Sequence, residues 1–152
     1  MRILLVCLGN ICRSPMAEGI LRERARQRGL VVITDSAGTS DHHVGEAPDP
    51  RAQAAMERQG MQIGDLRARQ YHPDDLRTFD LILAMDANNL RDILHVNTDP
   101  SLAPKAKLMM DLVPIRTERD VPDPYFGGDD GFDHVFRMLD SAVNSLLDDI
   151  QR

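Results

Sequence analysis

The chain has 152 residues, 42% of them hydrophobic and 28% charged, and carries a net charge of −6 at pH 7. That is the size of one domain spanning 1–152, able to bury a core without disulfides or a metal, and the composition points away from disorder and from a membrane-embedded chain. The acidic balance excludes nucleic acid as the main partner, because binding a phosphate backbone demands a basic face.

Met1-Arg2 precedes the apolar run Ile3 to Val6, which reads as a first strand. Neither it nor any later run is long enough for a secretory core or a membrane span, so a cytoplasmic protein with no membrane partner is expected. Ser14-Pro15 reads as an N-cap followed by proline at the first helical position, with Gly29 closing that helix. Leu30 to Ile33 is the next apolar run, Asp49-Pro50 opens a second helix, and Gly60 closes it. Leu81 to Ala84 and Leu108 to Met110 complete four runs that are near-continuous rather than alternating, the pattern of strands buried on both faces of a parallel sheet. Phe132, Val135, Phe136, Leu139, Val143, Leu146 and Ile150 recur at three and four, which predicts an amphipathic C-terminal helix. The polar connections 37–50 and 111–130 are long enough to be functional loops. Strand and helix alternate throughout, so the expected fold is a single α/β domain, a parallel sheet with helices on both faces and ligands at the carboxyl ends of its strands.

The segment Cys7-Leu8-Gly9-Asn10-Ile11-Cys12-Arg13-Ser14-Pro15 lies between the first strand and the first helix. A helix N-terminus presents unpaired N–H groups and a partial positive charge, so this strand–loop–helix unit can cradle an anion. Gly9 and Asn10 are residue types that tolerate positive φ and let successive amides turn inward. Arg13 adds a planar fork for two phosphate oxygens. Cys7 sits where the positive field converges, which favours the thiolate, and Ser14 is placed to donate to its sulfur. A thiolate beneath a bound phosphate is set for in-line attack on phosphorus. The competing reading of Cys7 is a small buried hydrophobe at a strand end. The strand before it, Gly-Asn within the loop and Ser-Pro after it favour chemistry.

Cys7 and Cys12 are too few for a disulfide framework or a zinc ligand set. Cys12 either packs against the first helix or traps an oxidised Cys7 as a disulfide, which would make the enzyme redox-sensitive. Near the C-terminus, Val121-Pro122-Asp123-Pro124-Tyr125 fixes a carboxyl between two prolines. A leaving oxygen needs a proton, which Asp123 can supply, although Asp-Pro equally marks a turn. Tyr125 and Phe126 offer an apolar wall for a flat ring, with His42 in the other long loop. His42 and His43 lack a third metal ligand nearby.

The run from Val6 to Glu18 resembles the phosphate loop of the low-molecular-weight protein tyrosine phosphatases. The similarity extends through Asp35-Ser36-Ala37-Gly38-Thr39, Pro48-Asp49-Pro50-Arg51-Ala52, Ala68-Arg69-Gln70 and Met85-Asp86 to Asp123-Pro124-Tyr125. The resemblance implies a four-stranded parallel sheet with the phosphate-binding loop after the first strand, and no metal or organic cofactor. It implies a cysteinyl-phosphate intermediate on Cys7, with Arg13 catalytic and Asp123 the general acid. Substrate contacts fall to Leu8, Gly9, Asn10, Ile11, Cys12, Ser14, His42, Tyr125 and Phe126. The implied partners are phosphotyrosine-containing proteins and a tyrosine kinase, with phosphate and other oxyanions as inhibitors. Two positions depart from the family pattern. His42 stands where a large aromatic residue is usual, and Leu66 where a histidine commonly bonds the loop serine, so Ser14 must be oriented by Asn10 or Ser36.

Rival readings on the same fold are a phosphoarginine phosphatase, which resembles this loop but has threonine at the Ile11 position, and an arsenate reductase, which usually recruits a third cysteine. A non-catalytic phosphate-binding module is the alternative from another class. An intact cysteine, arginine and acid argue against it.

Overall fold

A computed structural model of the chain describes residues 1–115 and 117–152. Strands β1 (Arg2–Cys7), β2 (Ile33–Gly38), β3 (Leu81–Ala84) and β4 (Ala106–Leu108) form one all-parallel sheet in the order β2-β1-β3-β4. Side chains alternate across a strand, so Ile3, Leu5 and Cys7 enter the core on one face while Leu4 and Val6 enter the core on the other. A run that is apolar from Ile3 to Val6 is what this central, doubly covered position requires. Helices α1 (Arg13–Gln27), α2 (Pro50–Glu57) and α5 (Asp129–Gln151) cover the first face, and α3 (Asp75–Thr78) with α4 (Ala87–His95) the second.

Local signals set most boundaries. Asp49 caps α2 by accepting from the Arg51 amide, with Pro50 at the first helical position. Gly29 and Gly60 follow α1 and α2 at φ of +67° and +76°, the left-handed conformation that ends helices. The apolar stripe predicted for the C-terminal helix is buried from Phe132 to Leu146, with Ile150 partly buried against the core.

Three expectations are corrected. The second strand is not Leu30 to Ile33 but Ile33–Gly38, which pairs along β1 from Arg2↔Ile33 to Cys7↔Gly38. The apolar run is the approach to it, with Leu30 and Val32 packed on the core and Val31 89% exposed. β2 is an edge strand whose Asp35 and Ser36 make side-chain hydrogen bonds, so it lacks the apolar signature of the centre. The fourth strand ends at Leu108, and Met109 and Met110 bury themselves from a 3₁₀ turn. Cys12 rather than Ser14 caps α1, and the helix starts at Arg13. Arg116, within the predicted 111–130 connection, lies outside the described residues. Among the described residues no helix is long and apolar enough to cross a membrane.

Candidate active site

β1 leads to β2 on one side while β3 lies on its other, so the chain leaving β1 emerges where strand order reverses. Such a switch point opens a crevice at the carboxyl ends of the strands. The loop 8–12 fills it, tied by Thr39 N donating to Cys7 O at 2.9 Å, Ser40 N to Leu8 O at 2.9 Å and Asp49 N to Ile11 O at 2.8 Å.

Asn10 makes the turn, at φ 57°. Asparagine tolerates this left-handed conformation better than most residues, and it aims the Asn10 amide at Cys7 Sγ, 3.2 Å away. Gly9 does not adopt positive φ; a Cβ there would stand 3.0 Å from His43 Cδ2, so the histidine ring would have to give way. Beneath the loop, a Cβ on Gly38 would stand 2.7 Å from Leu8 O and 3.1 Å from Asn10 N.

The sulfur's second neighbour is Ser14 Oγ at 3.0 Å, both residues being buried. Asn10 Nδ2 donates to Ser14 Oγ at 2.8 Å and to Ser36 Oγ at 3.0 Å, while its Oδ1 accepts from Arg69 N at 3.0 Å. With Asn10 donating to its oxygen, Ser14 keeps its hydroxyl proton available to the sulfur. Ser36 Oγ in turn donates to Glu18 Oε1 at 2.8 Å. Burial raises the Glu18 carboxyl above its ordinary 4.5, although the Ser36 hydrogen bond works the other way. Leu66 packs against the apolar core, and Asn10 supplies Ser14 with its partner.

Arg13 is 3% exposed, an unusual degree of burial for a guanidinium. Its Nη1 donates to Asp86 Oδ2 at 2.7 Å and to Val121 O at 3.0 Å, and Nη2 lies 3.7 Å from Asp123 Oδ2. Burial opposes its charge, but Cys7 and Asp86 more than offset that. Asp86 also caps α4 by accepting from Asn89 N at 2.8 Å, so a helix start orients the carboxylate that orients Arg13. The acid segment is anchored at Val121, whose amide donates to Met85 O at 2.8 Å. Asp123 follows with its side chain 39% exposed and accepts from Tyr125 N at 3.1 Å.

These elements enclose a cavity of about 200 Å³ lined by Cys7, Leu8, Gly9, Ile11, Cys12 and Arg13 from the loop, Asp123, Tyr125 and Phe126 from the acid segment, and His42. Tyr125 and Phe126 meet edge to face with centroids 5.0 Å apart. Two predicted substrate contacts, Asn10 and Ser14, do not line the cavity: the Ser14 hydroxyl meets the sulfur, and the Asn10 side chain bonds Ser14 and Ser36. Ser40 and His43 line it without having been predicted, His43 with Nδ1 2.9 Å from Glu46 Oε2. Asp86 was equally unforeseen; an aspartate just past a strand end and before a helix was the available signal. Burial first, then Asp49, push the Cys12 thiol up to about 12. Among the described residues no group of three or more His, Cys, Asp or Glu is arranged to hold a metal ion.

The family model described as low molecular weight phosphotyrosine protein phosphatase matches residues 2–152. The chain belongs to that family. A Synechocystis chain named for these phosphatases is 46% identical over 149 residues, covering 97% of this chain and 94% of its own. The human low molecular weight phosphotyrosine protein phosphatase is 36% identical over 149 residues, covering 96% and 93%. Among solved structures, a protein tyrosine phosphatase of Entamoeba histolytica with Hepes in its active site superposes with a TM-score of 0.95 at 35% identity, covering 99% of this chain and 97% of that one. The Drosophila arginine phosphatase superposes with a TM-score of 0.93 at 31% identity, over 100% and 99%. The phosphatase fold therefore does not by itself separate tyrosine from arginine substrates.

Proposed function

We propose that the protein hydrolyses phosphotyrosine and small aryl phosphate monoesters through a phosphoryl group carried on Cys7. The observation that carries this reading is the convergence on one small cavity of Cys7, its sulfur facing the Asn10 amide and Ser14 hydroxyl, with buried Arg13 and, opposite, Asp123. In the first step Cys7 Sγ bonds to phosphorus, the ester P–O bond breaks, and Asp123 gives its proton to the leaving oxygen. Water then attacks phosphorus, passing a proton back to Asp123, and the S–P bond breaks to release inorganic phosphate. Arg13 and the loop amides hold the phosphoryl oxygens throughout, in a setting where fixed donors stabilise developing charge.

A tyrosyl phosphate is favoured over a seryl one because the ring carries phosphorus far enough from the main chain to reach a buried sulfur. Tyr125 and Phe126 provide an apolar wall for that ring. Ile11, where the arginine-specific pattern has threonine, lines the cavity and favours an aromatic substrate over a guanidinium. The partners are then phosphotyrosine proteins in the cytoplasm, made by a tyrosine kinase, with phosphate and vanadate as competitive oxyanions. Cys12 lines the same cavity and is the thiol available to an oxidised Cys7.

Turnover of matched phosphotyrosine, phosphoserine and phosphoarginine peptides by the purified protein tests the reading. Phosphotyrosine should be the fastest; equal rates for tyrosine and serine would contradict the depth argument, and a preference for arginine would install the rival.

A further inference from the structure

We propose that Arg51, which does not line the cavity, is a positioning residue that aims the Asp123 carboxyl by holding the acid segment against the phosphate loop. The inference rests on Asp123 being the general acid.

Arg51 lies in the first turn of α2, and its guanidinium is held by the residue that caps the helix. Nε donates to Asp49 Oδ1 at 3.1 Å and Nη2 to Oδ2 at 3.0 Å, a two-point fork that fixes the plane. Asp49 is itself tied twice, its carboxylate accepting the Arg51 amide at 2.8 Å and its own amide donating to Ile11 O at 2.8 Å. The fork is thereby built onto the phosphate loop. Its other side faces the acid segment: Cζ lies 5.4 Å from the Tyr125 ring centroid and 4.8 Å from that of Phe132 on α5, and Nη1 reaches Gly127 O at 3.4 Å. A cation over ring faces attracts them through the ring quadrupole, more strongly where water is partly excluded.

Tyr125 connects this clamp to the chemistry. Its amide holds Asp123 Oδ1 at 3.1 Å, and only Pro124, which is buried, separates the two residues. Moving Tyr125 therefore turns the carboxyl. A tyrosine 39% exposed, followed by Phe126 at 92%, has little core packing of its own to fix it. The guanidinium takes that role, while the loop that binds phosphate is held by its own hydrogen bonds and does not need it.

The test is a double-mutant cycle of Arg51→Ala and Asp123→Asn, read as kcat/KM, which reports the leaving-group step alone, across aryl phosphates from phenyl to nitrophenyl, with inhibition by inorganic phosphate measured on each protein. Arg51→Ala should lower kcat/KM about tenfold for phenyl phosphate and less than about twofold for the nitrophenyl ester, whose leaving oxygen hardly needs a proton. Phosphate inhibition should be unchanged, and in the Asp123→Asn background Arg51→Ala should cost nothing further. Arg51→Lys, which keeps the charge but not the fork, should fall between and serves if the alanine variant folds poorly. An equal loss across the series, no loss, or full additivity with Asp123→Asn overturns the role of Arg51 while leaving the acid in place. If Asp123→Asn alone loses equally for all esters, the acid assignment fails and this inference falls with it.

Discussion

Cys7 Sγ and Ser14 Oγ stand 3.0 Å apart with both residues buried, and Asn10, by donating to that oxygen, leaves the serine proton for the sulfur. A hydrogen bond to a charged group is worth about 1.5–3 kcal/mol, so Ser14→Ala should lower kcat by about 10- to 100-fold. The sulfur is both nucleophile and, in the second step, leaving group, and loses a donor in each role. Phosphate inhibition should change little, because Ser14 does not line the cavity. An unaltered kcat would mean that the Asn10 amide suffices.

Gly38 supports the loop from below. Its missing side chain leaves backbone atoms of Leu8 and Asn10 where a Cβ would be, at 2.7 and 3.1 Å. Backbone yields less readily than a side-chain tip, so Gly38→Ala must lift the loop. A displacement of that kind can cost on the order of 100-fold in rate. Phosphate inhibition should weaken in parallel, unlike in Ser14→Ala; retained affinity would show that β2 shifts instead.

Glu18 gives a pH prediction. Burial raises its folded-state value above 4.5, so the native state holds this proton more tightly than the unfolded chain. Stability from this group is present at low pH and declines as pH rises from about 4.5 through the folded value. Gln at this position keeps an acceptor for Ser36 and has no proton to lose. The melting temperature of Glu18→Gln relative to the parent should therefore be more favourable at pH 8 than at pH 4.5. A difference independent of pH would show that the carboxyl titrates normally.

What the sequence revealed and what it hid divide along physical lines. β1, the cysteine loop, the Asp49-Pro50 helix start and the stripe of α5 were legible because each is written in adjacent residues or in one helical period. β2 was misplaced because an edge strand that carries Asp35 and Ser36 has side chains suited to hydrogen bonding rather than to burial. The long-range contacts of Asp86, Glu18 and Arg51 were out of reach for a different reason. Their partners lie 73, 18 and 74 residues away, at Arg13, Ser36 and Tyr125, and no local pattern encodes such meetings. Asn10 was legible as a turn former and as a partner for Ser14 in place of Leu66, but its further bonds to Ser36 and Arg69, distant in the chain, were not.

Cys12 is held as a thiol by burial and by Asp49, with its ionisation pushed up to about 12. Only a thiolate attacks a sulfenic acid, so closure of a Cys7–Cys12 disulfide after a peroxide pulse should accelerate about tenfold for each pH unit in the neutral range. The parent should recover activity on reduction, with a linked peptide detectable by mass, and Cys12→Ser should recover much less. Equal recovery without a linked peptide would leave Cys12 as a packing residue.

The claim on which the account turns is that the phosphoryl group passes through Cys7. Acid quenching during steady-state turnover of an aryl phosphate, followed by digestion and mass analysis of the Cys7 peptide, observes that directly. The account predicts one phosphoryl group on this peptide and on no other, its complete absence in Cys7→Ser, and loss of turnover in that variant while vanadate still binds. Sustained hydrolysis by Cys7→Ser, or turnover of the parent with no phosphate ever found on Cys7, would contradict it.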